Sequence, residues 1–515
     1  MNEKFPQAER ADIALLLEGT FPYVRGGVSS WVNQIIRAFP EHRFAIAFIG
    51  SSPDQYGEMA YALPDNVVHL ECHYLFDFSE AGLTPPVRGT IDGDAGTFSQ
   101  VASLHAKLRN PAQRHEASTM LKALQPLMQP GGKLSMEVFS HSHRAWDFLT
   151  ANYREFCTDP SFTDYFWTVR IMHQALWKLA QAAETMIPAT MYHTVSTGYA
   201  GLLGTLLHQR TGRPLLVSEH GIYTKERKID LFQSQWIRDN RSVFERDPSQ
   251  MGYFRDLWMR FFTAIGQMCY TAAGDIVALY EGNRQRQVSD GAPVEKTRTI
   301  PNGINLDRLT PLRATRPATP PPVLCLIGRV VPIKDVKTFI RAMLTVLSIR
   351  PDAEAWIAGP DDEDEDYARE CLRLVESLGL GNKVRFLGMQ NIETLLPQIG
   401  LVVLSSISEA LPLVVLEGFA AGVPAVTTDV GACRQLIYGL GAEDEAIGAA
   451  GAVVPIANPG ALASAALGLL QHPARWQSAQ QAGITRVERY YTLSMMVGQY
   501  RELYDRHLGG RGGQG

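Results

Sequence analysis

Residues 401–424, LVVLSSISEALPLVVLEGFAAGVP, give the clearest indication of the fold of this chain. Its first four residues form a short, unbroken apolar run with β-branched residues in the middle, which is typical of a strand buried on both faces of a parallel sheet. The chain then turns through residues 405–408, and Pro412 suits the first turn of a helix, where its missing N–H is not needed. The stretch therefore predicts a strand, a loop and a helix.

Two glutamates mark the loop and the helix of this stretch. Glu409 precedes the predicted helix and Glu417 lies inside it. A ligand at the carboxyl end of the strand could meet both carboxylates and the free N–H groups of the helix start, the usual binding place in open α/β sheets. Two glutamates at this spacing also occur on solvated helices, so the pair gains its meaning from the rest of the chain.

Length and composition limit the classes of protein that fit. A chain of 515 residues with 45% hydrophobic and 20% charged residues predicts a globular protein with two large domains. Its 48 basic and 53 acidic residues give a formal net charge of −5, which argues against nucleic acid or an anionic membrane as an obligate partner.

Cysteine usage and hydropathy predict a location. The six cysteines are scattered, without a Cys-x-x-Cys motif or zinc-ligand spacing, which predicts a reduced, cytoplasmic protein with no structural metal. The first ten residues are polar and no apolar run reaches about 18 residues, so we expect neither a signal peptide nor a membrane span. Peripheral docking at the inner membrane through partner proteins stays open.

The first half of the chain alternates predicted strands with glycine-containing loops and helices. A strand at residues 11–17 leads through Gly26 and Gly27 into a helix whose start would favour a phosphate, although the glycines could equally serve only to turn the chain. A later strand, residues 214–218, ends in Glu219 and His220, where parallel sheets bind ligands. A structural hydrogen-bonding role for His220 stays open.

Between these strands, residues 76–187 change character. Strand-like runs are scarce and helical periodicity prevails, which predicts a largely helical insertion. Its histidines and aromatic residues could line a pocket, although packing is their more common role.

The second half repeats strand, loop and helix after a proline-rich boundary at residues 311–322, which predicts a second doubly wound parallel sheet. Arg329 and Lys334 follow its first strand, where two cations and a glycine could hold a diphosphate. Such residues are also common on surfaces. The acidic run at residues 361–366 opens a helix, so capping is favoured over a metal site.

Three ordered stretches carry a resemblance to a known family: GRVVPIKD at 328–335, KVRFLG at 383–388 and SEALPLVVLEGFAAGVPAV at 408–426. They resemble the nucleotide-binding half of retaining GT-B glycosyltransferases of family 4. LLLEGTFPYVRGGVSSWV near the start and VSEHGIYTKER after Leu216 are similar to family members that serve exopolysaccharide synthesis. The resemblance covers nearly the whole chain.

This resemblance implies the GT-B fold, in which two Rossmann-like doubly wound parallel-sheet domains face each other across a cleft, here with the helical insertion in the first. The predicted domains are residues 1–305, with the insertion at about 76–187, and residues 306–488. A helix at 489–508 would cross back to the first domain, and residues 509–515 would form a disordered tail.

The resemblance also implies roles for residues of the second domain. Arg329 and Lys334 would bind the donor diphosphate, Glu417 the ribose, and Glu409 the donor sugar. Residues 384–390, including Met389, would hold the uracil, largely through backbone groups.

Two departures from the family pattern change the remaining assignments. Many members read Glu-Gly-Phe-Gly, where this chain has proline as the fourth residue, so backbone contacts to the donor would come from neighbours such as Leu413 and Val414. The His-x-His pattern of the first domain reads His193, Thr194, Val195 here. His220 therefore becomes the preferred catalytic histidine, with Glu219 beside it in the donor site and Gly26 and Gly27 approaching the phosphates.

The predicted function is a metal-independent retaining transferase that moves glucose or an N-acetylhexosamine from a UDP-sugar to a growing exopolysaccharide. No cofactor is expected, and the partners would be the UDP-sugar donor, the polysaccharide acceptor and proteins of an inner-membrane synthase complex. A non-catalytic GT-B scaffold subunit of such a complex is the alternative, and a metal-dependent transferase of the other common architecture is a third.

Overall fold

The computed structural model describes residues 5–76, 90–234, 236–241, 251–317 and 319–509. The chain divides into two compact units. Unit 1 comprises Met1–Ala278, Arg284–Thr299 and Glu502–Gly515, and unit 2 comprises Leu279–Asn283 and Ile300–Arg501.

Unit 1 is built on a parallel sheet of seven strands in the order β3-β2-β1-β4-β5-β6-β7. The strands are β1 Ala11–Glu18, β2 Phe44–Gly50, β3 Val67–Tyr74, β4 Ala189–Thr194, β5 Leu215–Glu219, β6 Asp275–Ala278 and β7 Thr297–Thr299. All seven residues of β2 are buried, as expected of a strand with helices on both sheet faces. The short polar strand β7, TRT, was not predicted, because it lacks the apolar run that identifies buried strands.

The insertion lies between β3 and β4 and is helical, as predicted. Its helices are α2 Ala95–Arg109, α3 Arg114–Leu124, α4 Met136–His141, α5 His143–Phe156 and α6 Phe162–Thr185. Residues 77–89 of the predicted insertion lie outside the described residues. Because β1 pairs directly with β4, the whole insertion is an excursion from the sheet and adds no strand to it.

The remaining helices of unit 1 are α1 Gly27–Ala38, α7 Tyr199–Thr211, α8 Tyr223–Gln233 and α9 Tyr253–Ala272. Of these, α7 packs against β1, β4 and β5, and α9 packs against α7, α3 and α8. The helix α10 Glu281–Ser289 contributes residues to both units. Every helix in the described ranges is too short or too polar to cross a lipid bilayer.

Unit 2 is built on a parallel sheet of six strands in the order β10-β9-β8-β11-β12-β13. The strands are β8 Val323–Ile327, β9 Glu354–Ala358, β10 Val384–Gly388, β11 Leu401–Leu404, β12 Ala425–Thr428 and β13 Gly451–Val454. Leu401 and Val403 enter one apolar core, and Val402 and Leu404 enter the core on the opposite face. This confirms the prediction that residues 401–404 form a strand buried on both faces.

The helices of unit 2 alternate with its strands. They are α11 Leu306–Leu309, α12 Val336–Ile349, α13 Glu365–Ser377, α14 Ile392–Leu395, α15 Leu413–Ala420, α16 Cys433–Tyr438, α17 Ala442–Glu445, α18 Pro459–Leu470 and α19 Pro473–Tyr490. Pro412 occupies the N-cap position of α15, one residue before the first helical turn in which it was expected.

The closing helix is α20 Leu493–Gly509, and it begins later than the predicted 489. The reason is a backbone pairing: Ile304 N donates to Tyr491 O at 2.8 Å, and Leu493 N donates to Ile304 O at 2.9 Å. This pairing separates α19 from α20 and places residues 300–305 with unit 2. From Glu502 on, the helix belongs to unit 1. Residues 510–515 of the predicted disordered tail lie outside the described residues.

Candidate functional site

The sheet of unit 2 has a topological switch point between β8 and β11. From β8 the chain continues to β9 and β10 on one side, whereas β12 and β13 follow β11 on the other. Ligands of open parallel sheets bind outside the carboxyl ends of the strands at such a point. The loops that begin there follow Ile327 and Leu404, and they carry Arg329, Lys334 and Glu409.

Lys334 and Glu409 meet at this switch point. Lys334 Nζ donates to Glu409 Oε1 at 2.6 Å, and Ser406 Oγ donates to the same oxygen at 2.6 Å. The side chains keep 22% and 14% of their surface exposed, so the pair is partly shielded from water but remains accessible. Glu409 Oε2 has no hydrogen-bond partner within the described residues, which leaves it available for a hydroxyl donor.

Hydrogen bonds join the two loops independently of the ion pair. Ser405 Oγ donates to Lys334 O at 2.9 Å, and Ile407 N donates to Ile333 O at 2.8 Å. Asp335 has the left-handed conformation, with φ 43°, and its carboxylate accepts from Thr338 N at the start of α12. The backbone that carries Lys334 is therefore held by contacts with the neighbouring loop and by a helix cap.

Two glycines allow the backbones around the switch point to approach closely. At Gly359, φ is 152° and a Cβ would lie 2.1 Å from Gly328 O. At Gly431, φ is 53° and a Cβ would lie 2.3 Å from Ala410 O and 2.5 Å from Glu409 O. Any side chain at these positions would displace the loop that carries Arg329 or the loop that carries Glu409.

Arg329 does not contact the Lys334–Glu409 pair. Its Nη1 donates to Glu363 at 2.5 and 2.6 Å, and both side chains are about half exposed, at 52% and 50%. Glu363 belongs to the acidic run, in which Asp364 caps α13 by accepting from Tyr367 N at 3.0 Å. The run therefore supplies a helix cap, as predicted, and in addition a partner for Arg329.

Glu417 lies on α15, apart from the other candidate residues. Among the described residues, no hydrogen bond or ion pair links its carboxylate to another group. Burial raises the pKa of Glu417 to about 7, and the charge of Arg308 opposes the rise. A largely buried carboxylate without a protein partner is well suited to receive ligand hydroxyl groups.

Three further predicted positions lie on loops or helix starts of unit 2. Met389, directly after β10, is 74% exposed. Leu413 and Val414 form the first turn of α15, and the capping residue before them, Pro412, lacks an N–H. Val415 N bonds back to Pro412 O at 3.1 Å, so the N–H groups of Leu413 and Val414 are the ones that a ligand could use.

In unit 1 the switch point lies between β1 and β4, and it includes a residue that the sequence analysis missed. Glu18 ends β1; its Oε1 accepts from Tyr223 Oη at 2.8 Å and its Oε2 from Ala200 N at 3.3 Å. The available signal was a polar residue directly after an apolar strand. Gly26 and Gly27 are exposed in the loop and helix start that follow, and a Cβ at either would have no heavy atom within 4 Å.

Glu219 is buried, with 2% of its surface exposed. Its Oε1 accepts from Thr197 Oγ1 and Tyr223 N, both at 3.0 Å, and its Oε2 from Tyr270 Oη at 2.7 Å and Gln287 Nε2 at 3.1 Å. Burial raises its pKa, and the four donors oppose the rise. This placement favours a structural role over the predicted contact with the donor.

The two candidate histidines contact the same tryptophan but differ in their bonding. His193 is fully buried, with Nδ1 2.9 Å from Tyr504 Oη and Nε2 2.8 Å from Ser218 Oγ. His220 packs edge-on against Trp31 at 4.6 Å between ring centroids, and its Nε2 has no hydrogen-bond partner within the described residues. Burial lowers the pKa of His220 to about 4, so the ring is neutral at pH 7. Of the two, His220 is the one with a ring nitrogen that has no partner among the described residues, and that nitrogen is buried.

Neither a metal-ligand cluster nor a disulfide occurs among the residues that the structure describes. Within the ranges that the structure describes, no group of three or more His, Cys, Asp or Glu side chains could hold a metal ion. All six cysteines are free thiols.

Two family models match the chain. Residues 11–295 match the family described as "Domain of unknown function (DUF3492)", and residues 321–472 match the family described as "Glycosyl transferases group 1". The second match includes the whole Lys334–Glu409 site and Glu417.

Curated relatives resemble part of the chain. A D-inositol 3-phosphate glycosyltransferase of Catenulispora acidiphila is 27% identical over 42% of this chain and 50% of its own length. The lipopolysaccharide core mannosyltransferase LpsB of Rhizobium meliloti is 28% identical over 35% of this chain and 50% of its own length. The chain thus spans about half the length of the curated relatives that it matches.

Solved structures resemble nearly the whole chain. HepE of Anabaena, crystallised with UDP, has a TM-score of 0.57 and 14% identity, covering 96% of this chain and 100% of HepE. Sucrose-phosphate synthase from Thermosynechococcus elongatus has a TM-score of 0.55 and 17% identity, covering 97% of this chain and 100% of the synthase. At these identities the similarity shows the fold, and it confirms the predicted fold class of two Rossmann-like parallel-sheet domains of the GT-B type.

Proposed function

We propose that this chain, which belongs to the DUF3492 family through residues 11–295, is a retaining glycosyltransferase that takes a hexose or N-acetylhexosamine from a UDP-sugar. The observation that carries the proposal is the Lys334–Glu409 pair at the switch point of unit 2. The pair places a cation and a carboxylate at the position where open parallel sheets bind their ligands. The match of residues 321–472 to group 1 glycosyl transferases supports the same conclusion.

In the proposed complex, Arg329 and Lys334 bind the donor diphosphate. Each cation is now paired with a carboxylate, Glu363 or Glu409, through accessible side chains. Because the Arg329–Glu363 pair is half exposed and contributes little stability, a diphosphate displaces Glu363 at low cost. The Lys334–Glu409 pair is better shielded, and there the two negative charges of the diphosphate replace the single charge of Glu409 at Lys334. The freed Glu409 carboxylate then accepts hydroxyl groups of the donor sugar.

Glu417 is the proposed ribose ligand. A diol donates two hydrogen bonds to one carboxylate, and this carboxylate is largely buried with no partner of its own in the described residues. The backbone N–H groups of Leu413 and Val414 add donors for the phosphate at the start of α15. Residues 384–390, with the exposed Met389 at their end, are the proposed uracil contact. Crystal structures of HepE, which has the same fold, contain UDP or UDP-glucose.

Three residues of unit 1, Gly26, Gly27 and His220, are also part of the proposed donor site. Gly26 and Gly27 leave room for phosphate oxygens near the start of α1. His220 is neutral at pH 7, and its buried Nε2, which has no partner among the described residues, is proposed to form a hydrogen bond with the reacting sugar when the donor binds.

These residues are proposed to lower the reaction barrier by electrostatic stabilisation of the leaving group. As the bond between the sugar and the diphosphate breaks, negative charge grows on the leaving diphosphate, and Arg329, Lys334 and the α15 start stabilise it. The leaving phosphate accepts the proton of the acceptor hydroxyl, so the reaction needs no protein base. Neither a metal nor a cofactor is part of the proposal.

The finer proposal concerns the product. The stretches LLLEGTFPYVRGGVSSWV and VSEHGIYTKER resemble PelF, the cytoplasmic transferase of Pel exopolysaccharide synthesis. We therefore propose that the acceptor is a growing exopolysaccharide of the Pel type. The protein would act in the cytoplasm and associate with proteins of an inner-membrane synthase complex.

Thermal protection by UDP tests the donor site. UDP should raise the melting temperature of the unmodified protein, and Arg329→Ala and Glu417→Ala should each abolish that rise. Arg369→Ala is a matched control, because Arg369 is also 52% exposed and paired with carboxylates, but on α13 outside the proposed site. Undiminished protection in both site variants would refute the proposed donor site.

A scaffold subunit is the second candidate, and turnover separates it from an enzyme. Purified protein should slowly hydrolyse a UDP-sugar, and a panel of UDP-glucose, UDP-N-acetylglucosamine and UDP-N-acetylgalactosamine would identify the sugar. Binding of UDP without any turnover would favour the scaffold. Loss of activity in a chelator would contradict the proposed metal independence.

A further inference from the structure

The insertion and α9 enclose a cavity of about 180 Å³ that none of the proposed donor chemistry uses. Helices α2 to α6 line it together with α7 and α9, and most of the lining is aliphatic or aromatic, for example Leu104, Leu121, Phe148 and Val169. Close-packed interiors hold few voids larger than a water molecule. A cavity of this size between seven helices is therefore a feature to explain.

Its size limits what it can hold. An engineered apolar cavity of about 150 Å³ stays dry and binds benzene. The cavity of the insertion is slightly larger, so it suits an apolar body of about the size of a substituted benzene ring or a six-carbon chain.

The lining also contains two arginines. Arg109 Nη1 donates to Asn152 Oδ1 at 2.9 Å, and its guanidinium lies over the Phe156 ring at 3.9 Å from the centroid. Burial lowers the pKa of Arg109, and the charge of nearby Arg260 is among the smaller causes that lower it. Arg260 has Asp256 as an ion-pair partner, with Nε 2.9 Å from Oδ2, but that carboxylate is half exposed and weakly held. Glu155, an exposed carboxylate, acts on Arg109, and Arg114 is a third cation near Arg260. Three cations with two exposed carboxylates, Asp256 and Glu155, leave positive charge for an anion.

A pair of neutral histidines completes the polar lining. His173 Nδ1 lies 2.7 Å from Val169 O, so Nδ1 carries the proton and Nε2 is an acceptor. His105 Nε2 lies 3.3 Å from His173 Nε2, so His105 is the donor of that bond and its Nδ1 bears a lone pair. Within the described residues this nitrogen has no hydrogen-bond partner. Burial lowers the pKa of both histidines, to about 3 and about 4, so they add no charge at pH 7.

We propose that this cavity binds a small amphipathic anion, with its apolar body among the helices and its carboxylate or phosphate head at Arg109 and Arg260. The insertion then serves as a ligand-binding module, separate from the donor site of unit 2. A cavity that bound only apolar molecules would have no use for buried arginines. An anionic head group would pair with both guanidinium groups and would keep water out of the space between the helices.

Calorimetric titration of the full chain tests the proposal. The ligands are 3-phenylpropanoate and the neutral 3-phenylpropan-1-ol. The carboxylate should bind saturably and the alcohol about tenfold more weakly, because the alcohol loses a charge-assisted hydrogen bond. Phenethyl phosphate tests the other head group, and saturable binding of either anion supports the site. No saturable binding of either anion, or equal binding of acid and alcohol, would overturn it.

Variants locate the binding. Arg260→Met should weaken 3-phenylpropanoate to the level of the alcohol, whereas Arg154→Met, an exposed arginine of α5 outside the lining, should change nothing. Ala264→Leu should weaken acid and alcohol together by filling the cavity. Equal losses in Arg154→Met and Arg260→Met would overturn the proposal. Because the comparison of acid with alcohol uses the unmodified protein, the test holds even if a variant fails to fold.

Discussion

Glu417→Gln should stabilise unit 2 at alkaline pH relative to the unmodified protein, and the gain should vanish in acid. Burial raises the pKa of Glu417 from the ordinary value of 4.5 to about 7. Below pH 4.5 the carboxyl is protonated in both the folded and the unfolded chain, so it contributes nothing to the pH dependence. Between pH 4.5 and 7 the unfolded chain ionises first, and stability falls as the pH rises.

The size of the effect follows from the shift. One pKa unit corresponds to about 1.36 kcal/mol, so the shift corresponds to at most roughly 3 kcal/mol. Because Glu417 is largely buried but keeps part of its surface exposed, solvent screening reduces this to about 2 kcal/mol. For a domain of roughly 200 residues, about 2–4 °C per kcal/mol gives a rise of roughly 5 °C in the melting temperature at pH 8.

The assay is a pair of thermal melts of the full chain at pH 5 and pH 8, monitored by circular dichroism. Any constant effect of the glutamine cancels in the difference between the two pH values. Glu363→Gln is the control, because that carboxylate is half exposed and paired with Arg329. An advantage of Glu417→Gln that is equal at both pH values, or larger at pH 5, would refute the reasoning.

Three other changes have outcomes set by the structure. Arg486→Leu should cost about 3–5 kcal/mol in urea unfolding, because Arg486 is fully buried and the substitution leaves Asp444 unpaired; a loss below about 1 kcal/mol would contradict this. Gly359→Ala should weaken UDP binding in calorimetry, because the new Cβ would lie 2.1 Å from Gly328 O and displace the Arg329 loop; unchanged affinity would show that the loop adapts. Glu219→Ala should lower the melting temperature at pH 7 by leaving four buried donors without their acceptor, and an unchanged melting temperature would argue against its structural role.

Local sequence pattern was sufficient for most of the elements of secondary structure. Runs such as residues 323–327 and 401–404 are apolar, β-branched and bounded by turns, and the structure has strands with those bounds. The pattern failed for β7 and β13, which are three and four residues long and lack a continuous bulky apolar run. Short edge strands gain their stability from pairing with a neighbour, and this signal is absent from their own residues.

The sequence by itself also identified the loops after β8 and β11 as candidate binding loops, since polar and charged residues directly follow buried strands there. Only the tertiary structure decided that β8 and β11 are neighbours, that Lys334 meets Glu409, and that Arg329 pairs with Glu363 instead. In unit 1 it separated His193, whose partner Tyr504 lies 311 residues away, from His220. Burial, strand order and pairing across such distances arise when the whole chain packs, whereas propensity and periodicity act over a few residues. For this reason the sequence alone was sufficient for most of the elements and for the candidate binding loops, and the tertiary structure determined which residues meet.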